Sequence, residues 1–459
     1  MLSHHLLKNR VKRIFALIVA NIFIISTMRA TPLVSIGDNA DIYFDGSSTA
    51  RWTSNVFLTD LNEVDDFVYI LSPGFEFNVG RDVSNADLSI ITRYDIVRYN
   101  DLSDLDVGLL HLKLRGAYKT SRLELEISAN YDEQKSNSGD AFRVDDLIES
   151  DISGAVINGE YTISPKFSIG LGARYTKHEY TGPFERILAD QDTKVLPLDI
   201  FYELTPKMDL SLGYIYSETE VGALDPVAFD RSGFDPITGL PLIDSVTGLP
   251  LIDPSTGLPT LISVTTRQRD TYSRETHFFN IGARGSLLPK LSGFLKAGYR
   301  IRESGVRTFT DVTEDLLNNT EGPPVDGTRR FSEERTLGLD ADLYWRVTPK
   351  FATRFGLSRD FGVGSDGAPL RISSFSLSSD LSLNNNYTAS ANLGYMQRDY
   401  TFRDREDDKY SAGIRIFYTP NAFWQYNLGY TFIDNLSTGT EAGNSYDADV
   451  VDLNATLRY

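Results

Sequence analysis

Cysteine is absent from the 459-residue chain, tryptophan occurs 3 times and histidine 5 times. Beyond the N-terminus, no segment approaches the roughly 18–20 consecutive apolar residues of a spanning helix. The missing thiols exclude disulfide frameworks, thiol nucleophiles and thiolate metal sites. The missing apolar runs exclude a helical membrane protein. Positive charge is also in deficit, with 45 Lys and Arg against 63 Asp and Glu and a net charge of −18. That sign opposes sequence-independent binding to nucleic acid, which needs a basic surface to displace counterions.

Amphipathic rings are plentiful, with 24 Tyr and 26 Phe in a chain only 41% hydrophobic. The first residues have the layout of an export signal. Lys8, Arg10, Lys12 and Arg13 precede the apolar run Ile14 to Ile25, and cleavage is expected after Ala30. The expected domains are therefore a signal peptide, 1–30, and a mature chain, 31–459. Losing the five basic residues of the signal takes the net charge from −18 to −23.

One unit recurs through the mature chain: an alternating run, a short turn centred on proline, and a second alternating run. It is seen in "YTISPKFSIGLGARY", "YELTPKMDLSLGYIY", "GSLLPKLSGFLKAGYR", "WRVTPKFATRFGLSR" and "IFYTPNAFWQYNLGY". Proline fixes φ and cannot donate into a ladder, so it punctuates strands, and the repeated unit is a hairpin. Phases follow from the period of two. Phe167, Ile169, Leu171, Ala173 and Tyr175 share one face, and Ser168, Gly170, Gly172 and Arg174 share the other. Such alternation also suits a soluble β-sandwich, but connection lengths separate the two. Tight turns at one set of strand ends face links of Val221 to Asp270 and Ser304 to Arg329 at the other, as in outer-membrane barrels.

The expected fold is all-β, a transmembrane antiparallel up-and-down barrel of about eighteen strands with sixteen as the alternative count. Short turns lie on the periplasmic side, long loops lie outside the cell, and the localisation is the cell outer membrane. The expected strands include 330–347 and 446–459. The last ends in Leu453, Ala455, Leu457 and Tyr459, an aromatic-terminated alternation that resembles the C-terminal signal by which barrel-assembly machinery recognises its clients.

The opening segment Arg51 to Gly80, with Ser54-Asn55-Val56 and Ser72-Pro73-Gly74, resembles the β-barrel porin families of Gram-negative outer membranes, which include barrels from exopolysaccharide operons. The resemblance implies an outer-membrane pore and supplies no catalytic residues.

Inward phases carry charge. His111, Lys113 and Arg115 share one polar face; Lys296, Arg300 and Arg302 share another; and Arg174, Arg284 and Arg354 also point inward. Inward acids include Glu124, Glu126, Asp199, Asp340, Asp342 and Asp452. These residues are the candidate lumen lining, either as charges paired across strands or as a screening array. The three mature-chain histidines, His111, His178 and His277, are scattered and form no recognisable Ser/His or metal-ligand pattern. No catalytic residue, cofactor or metal is expected.

The 221–270 loop holds a nine-residue repeat at Thr238-Gly239-Leu240-Pro241, Thr247-Gly248-Leu249-Pro250 and Thr256-Gly257-Leu258-Pro259. It is expected either to fold into the pore or to build a β-structured protrusion outside. Acidic loop segments 60–66, 101–106 and 404–408 are candidates for sharing divalent cations with lipopolysaccharide. Expected partners are therefore outer-membrane lipid and lipopolysaccharide, the assembly machinery and small solutes. The expected function is passive diffusion of small hydrophilic solutes. The alternatives are an accessory barrel for exopolysaccharide secretion and, less favoured, an outer-membrane enzyme.

Overall fold

The computed structural model describes residues 32–37, 39–80, 85–137, 146–232, 263–315 and 320–459. The signal segment and the nine-residue repeats lie outside the described residues. Eighteen antiparallel strands close into one barrel. The first nine are β1 (Ala40–Thr53), β2 (Asp66–Val79), β3 (Ala86–Tyr99), β4 (Val107–Lys119), β5 (Leu123–Lys135), β6 (Glu149–Ser164), β7 (Phe167–Thr181), β8 (Gln191–Thr205) and β9 (Met208–Val221). The second nine are β10 (Tyr272–Leu288), β11 (Leu291–Arg302), β12 (Glu334–Thr348), β13 (Phe351–Val363), β14 (Pro369–Ser382), β15 (Tyr387–Tyr400), β16 (Glu406–Tyr418), β17 (Trp424–Thr438) and β18 (Tyr446–Arg458). Each pairs with its sequence neighbour, and β18 returns to β1 in a register running from Asp45↔Arg458 to Thr53↔Val450. Closure leaves none of the eighteen as an edge strand; a short strand, Val34–Ile36, pairs beside residues 40–42 at the start of β1.

The tightest turns, 165–166, 206–207, 289–290 and 349–350, are all Pro-Lys. Proline removes a donor, and the hydroxyl before it accepts the lysine's backbone N–H: Ser164, Thr205 and Thr348 do so for Lys166, Lys207 and Lys350 at 3.4, 3.4 and 3.3 Å. A register shift adjoins each of these turns, as expected where a bulge lets strand twist meet a short connection.

Burial is inverted relative to a soluble protein. Outward Leu212, Ile281 and Ile414 are 62%, 68% and 62% exposed, whereas inward Ser211 and Asn280 are buried. An apolar surface of this extent requires a hydrocarbon partner. At the short-turn rim, Tyr387, Tyr418, Tyr426 and Trp424 form a chain of stacked rings with centroid spacings of 4.7, 6.2 and 5.8 Å. Tyr459 lies at the seam. Its backbone exchanges hydrogen bonds with Phe44 at 2.6 and 2.8 Å, and its ring stacks on Phe423.

Among the described residues, conventional apolar cores occur only as small clusters at the long-loop rim. One joins Val56, Phe57, Leu105 and Leu147, another Ile148, Tyr180 and Leu188, and a third Ala189, Val221, Leu224, Tyr272 and Phe331. A second sheet stands at this rim, built from Leu224–Ser232, Ser263–Arg269, Gly305–Asp315, Thr320–Glu321 and Val325–Phe331. This corrects the expectation of an unbroken strand over 330–347. Val325–Phe331 pairs with Gly305–Asp315 in the outer sheet, and β12 begins only after Ser332 and Glu333.

Candidate functional site: the charged inner wall

Glycine on the inward phase decides how the wall is built. Gly170 and Gly172 on β7, Gly213 on β9, Gly282 on β10 and Gly338 on β12 leave troughs across which long side chains lie flat. A Cβ on Gly282 would stand 2.8 Å from Ser211 Oγ and 3.0 Å from Lys296 Cγ, and one on Gly338 would stand 2.7 Å from Arg300 Cγ. Through these troughs, charges reach strands that are not their neighbours.

Arg284 on β10 is the clearest case. It donates to both oxygens of Glu160 on β6 at 2.6 and 2.7 Å, donates to Asp209 on β9 at 2.9 Å, and lies 3.4 Å over the Phe201 ring. Ser168 donates to Glu160 at 2.6 Å and completes the carboxylate's partners. Lys296 on β11 donates to both oxygens of Asp199 on β8 at 2.8 Å. Arg300 pairs with Asp360 at 2.9 Å and covers Phe278 at 3.8 Å. Arg302 and Arg274 share Glu334 at 2.8 and 3.0 Å, and all three are largely buried. Arg354 chelates Asp342, and Asp452 is held between Arg51 and Arg415 at 2.7 and 3.1 Å. Bidentate guanidinium–carboxylate geometry makes Arg284–Glu160 and Arg354–Asp342 the stronger members of the wall.

The expected lining residues thus fall into two groups. Arg284, Lys296, Arg300, Arg302, Asp342 and Arg354 are engaged in ion pairs, and Glu124 pairs with Lys119 at 3.0 Å. His111 stands between Asp132 and Asp95, 3.1 and 3.3 Å away. Lys113, Arg115, Arg174, Glu126 and Asp340 have no ion pair within 4 Å among the described residues. Lys113 and Arg115 border an open groove with Asp45, Thr92, Asn130 and Asp132. On β18, Leu453, Ala455 and Leu457 share the outward phase with Val451, opposite Asp452 and Asn454.

Sequence reasoning did not single out Glu160, Asp209, Glu334, Asp360 or the inward rings Phe201 and Phe278. Parity was the available signal, because Phe201 is in phase with Asp199, and Phe278 with Asn280. The three histidines stay apart. His277 is on the outward phase, hydrogen-bonded to Tyr214 at 2.8 Å and to Glu303 at 3.1 Å. With Glu275 and Glu303 it brings three potential cation ligands within 4.8 Å of one another, a grouping made by strand pairing that sequence spacing hides.

Above the wall, loops cross part of the mouth. Segment 364–368, between β13 and β14, meets 182–190, between β7 and β8. Ala189 N–H donates to Ser365 O at 2.8 Å, and Gln191 donates to Gly364 O at 2.9 Å. Tyr272 Oη donates to Gly367 O at 2.7 Å. Gly367 has φ +76 and packs where a Cβ would be 2.8 Å from Val221 and 3.3 Å from Ala189, so both backbone conformation and space require glycine. The acidic loops also serve as internal ties. Asp66 accepts the backbone N–H groups of Asp101 and Leu102, and Asp407 pairs with Arg405.

No curated protein matches this chain. Among solved structures it is similar to the ferric-catecholate import receptor Fiu from E. coli K12, at 8% identity over 92% of this chain and 82% of that one, with a TM-score of 0.44. It is also similar to OpdK of Pseudomonas aeruginosa, solved with vanillate, at 10% identity over 91% and 99% with a TM-score of 0.39. A third is the siderophore receptor PiuA from Acinetobacter baumannii, at 9% identity over 91% and 82% with a TM-score of 0.39. Residues 327–459 match the family described as "Putative beta-barrel porin 2", and the closed strand circuit with its apolar exterior makes the chain a β-barrel of the outer membrane.

Proposed function

We propose that the barrel conducts small hydrophilic solutes across the outer membrane by passive diffusion, with size exclusion and charge screening and no covalent step. The supporting observation is the inner wall itself. Its long cations are drawn flat onto wall carboxylates over inward glycines, as Arg284 is onto Glu160 and Asp209, rather than filling the lumen. An 18-stranded barrel whose wall is laid flat in this way has room for an aqueous path. In this scheme the unpaired Lys113, Arg115 and Arg174 are the charges a passing anion meets, and Glu126 and Asp340 face cations.

The rest of the life cycle follows. Residues 1–30 direct export, and residues 31–459 form the mature chain. The outward phase of Leu453, Ala455 and Leu457, ending on Tyr459, is offered to the barrel-assembly machinery. The exterior meets lipid and, on its outer leaflet, lipopolysaccharide. The test is liposome swelling with neutral sugars of increasing size. Influx should rise linearly with the gradient and fall steeply with solute radius. Vesicles carrying verified folded barrel that do not swell with any sugar would refute the proposal.

A further inference from the structure

Between the outer sheet and the mouth loops lies a cleft of about 60 Å³, enough for a small polyatomic anion. Five guanidiniums line it, Arg267, Arg269, Arg307, Arg329 and Arg403, against one lining carboxylate, Asp366. Such an excess of positive charge is unexpected on a chain of net charge −18.

Two of the five are neutralised. Arg267 chelates Asp311 at 2.7 and 2.8 Å, and Arg403 pairs with Asp366 at 2.5 Å. Arg307 and Arg329 are oriented by carbonyls and by the Tyr272 and Phe331 rings, with no carboxylate within 4 Å among the described residues. Arg307 donates to Asp270 O and Gly222 O at 3.0 and 3.1 Å, and Arg329 donates to Phe402 O at 3.1 Å. A carbonyl fixes a guanidinium without cancelling its charge. Arg269 has neither hydrogen bond nor ion pair among the described residues. It is half-buried, and burial, against the attraction of Asp366 and with the like charges of Arg403, Arg267 and Arg329, pulls it below the ordinary arginine range. Burial likewise brings Arg307 down to about 10. Gathering unpaired cations at a partly dry site is unfavourable unless an anion joins them, and the planar fork of arginine suits an oxyanion. Apolar packing fixes the frame, because Phe331 stacks on Tyr272 at 5.3 Å and meets Phe402 edge-on at 5.0 Å.

We propose that this extracellular cleft binds a carboxylate or phosphate oxyanion through Arg269, Arg307 and Arg329. The site lies outside the lumen and does not depend on the diffusion channel proposed above. Two sources share this chemistry: a free anionic solute, and a lipopolysaccharide phosphate of the outer leaflet.

The test is calorimetric titration of the folded full-length barrel in detergent with inorganic phosphate, glucuronate and lipopolysaccharide micelles. Saturable binding should weaken at least tenfold in Arg269→Gln and in Arg329→Gln, and stay unchanged in Arg346→Gln at the opposite rim. Arg269→Gln removes no side-chain hydrogen bond or ion pair among the described residues, so its barrel should fold normally, as checked by heat-modifiable mobility. Arg269-dependent binding of the soluble probes assigns the site to solutes, and such binding of lipopolysaccharide alone assigns it to the lipid. Absence of saturable binding, or equal binding by Arg269→Gln, overturns the proposal. Sugar influx measured on the same variants separates failure of this site from failure of the channel.

Discussion

Replacing Asp199 by alanine should strand Lys296 on the wall. The ammonium now sits 2.8 Å from both carboxylate oxygens, where two unit charges attract by about 6 kcal/mol at an effective dielectric of about 20. Desolvation of both ions offsets more than half of that. Removing one partner of a fully buried pair costs about 3–5 kcal/mol. These side chains retain 16% and 13% exposure, so water rehydrates the stranded charge in part and the expected cost is about 2–3 kcal/mol. Lys296→Met in the same chain should restore stability to within about 1 kcal/mol, because no uncompensated charge then remains. Urea unfolding from lipid vesicles, followed by tryptophan fluorescence, supplies the double-mutant cycle. The freed ammonium of the single variant should also move ion selectivity toward anions. A single variant within about 0.5 kcal/mol of the parent would refute the wall pair.

Gly213→Val should destabilise by about 1–3 kcal/mol, because its Cβ would stand 2.6 Å from Asn280 Oδ1 and would meet Asp199; the same unfolding assay measures it. Since the chain has no cysteine, single replacements report exposure to water. Arg115→Cys should react with a membrane-impermeant maleimide in vesicles, and Leu212→Cys should not. In the outer sheet, the Arg267 guanidinium holds the Asp311 carboxyl below its usual range. A depressed carboxyl stabilises the fold above its unfolded pKa of about 4 and loses that contribution as pH falls through the folded value. Amide protection in Ser263–Arg269 and Gly305–Asp315 should therefore drop below about pH 4, and Asp311→Asn should remove that pH dependence.

Most of the barrel was legible because lipid outside and polar contacts inside impose a strict period of two on every strand. The Pro-Lys turns mark their ends, and the closing strand, expected over 446–459, runs over Tyr446–Arg458. The outer sheet was legible only as one of two alternatives for the 221–270 loop, and its strands were not placed. Gly305–Asp315 alternates as a barrel strand does but carries no outward apolar series, and Val325–Phe331 runs almost directly into β12. A period of two does not record which sheet a strand joins. At the wall, inward position could be read for Arg284 and Lys296, but their partners could not. Glu160 is four strands from Arg284, and Asp199 three from Lys296. Those distances are bridged by glycines whose role appears only when neighbouring strands are in register.

Single-channel conductance of the refolded mature chain in a planar bilayer, with the reversal potential under a salt gradient, bears most directly on diffusion through a hydrated, charge-lined lumen. Steady conductance proportional to voltage, with selectivity that shifts toward cations in Lys113→Glu and Arg115→Glu, is the expected result. Verified folded barrel that passes no current, or selectivity unmoved by both substitutions, would contradict it.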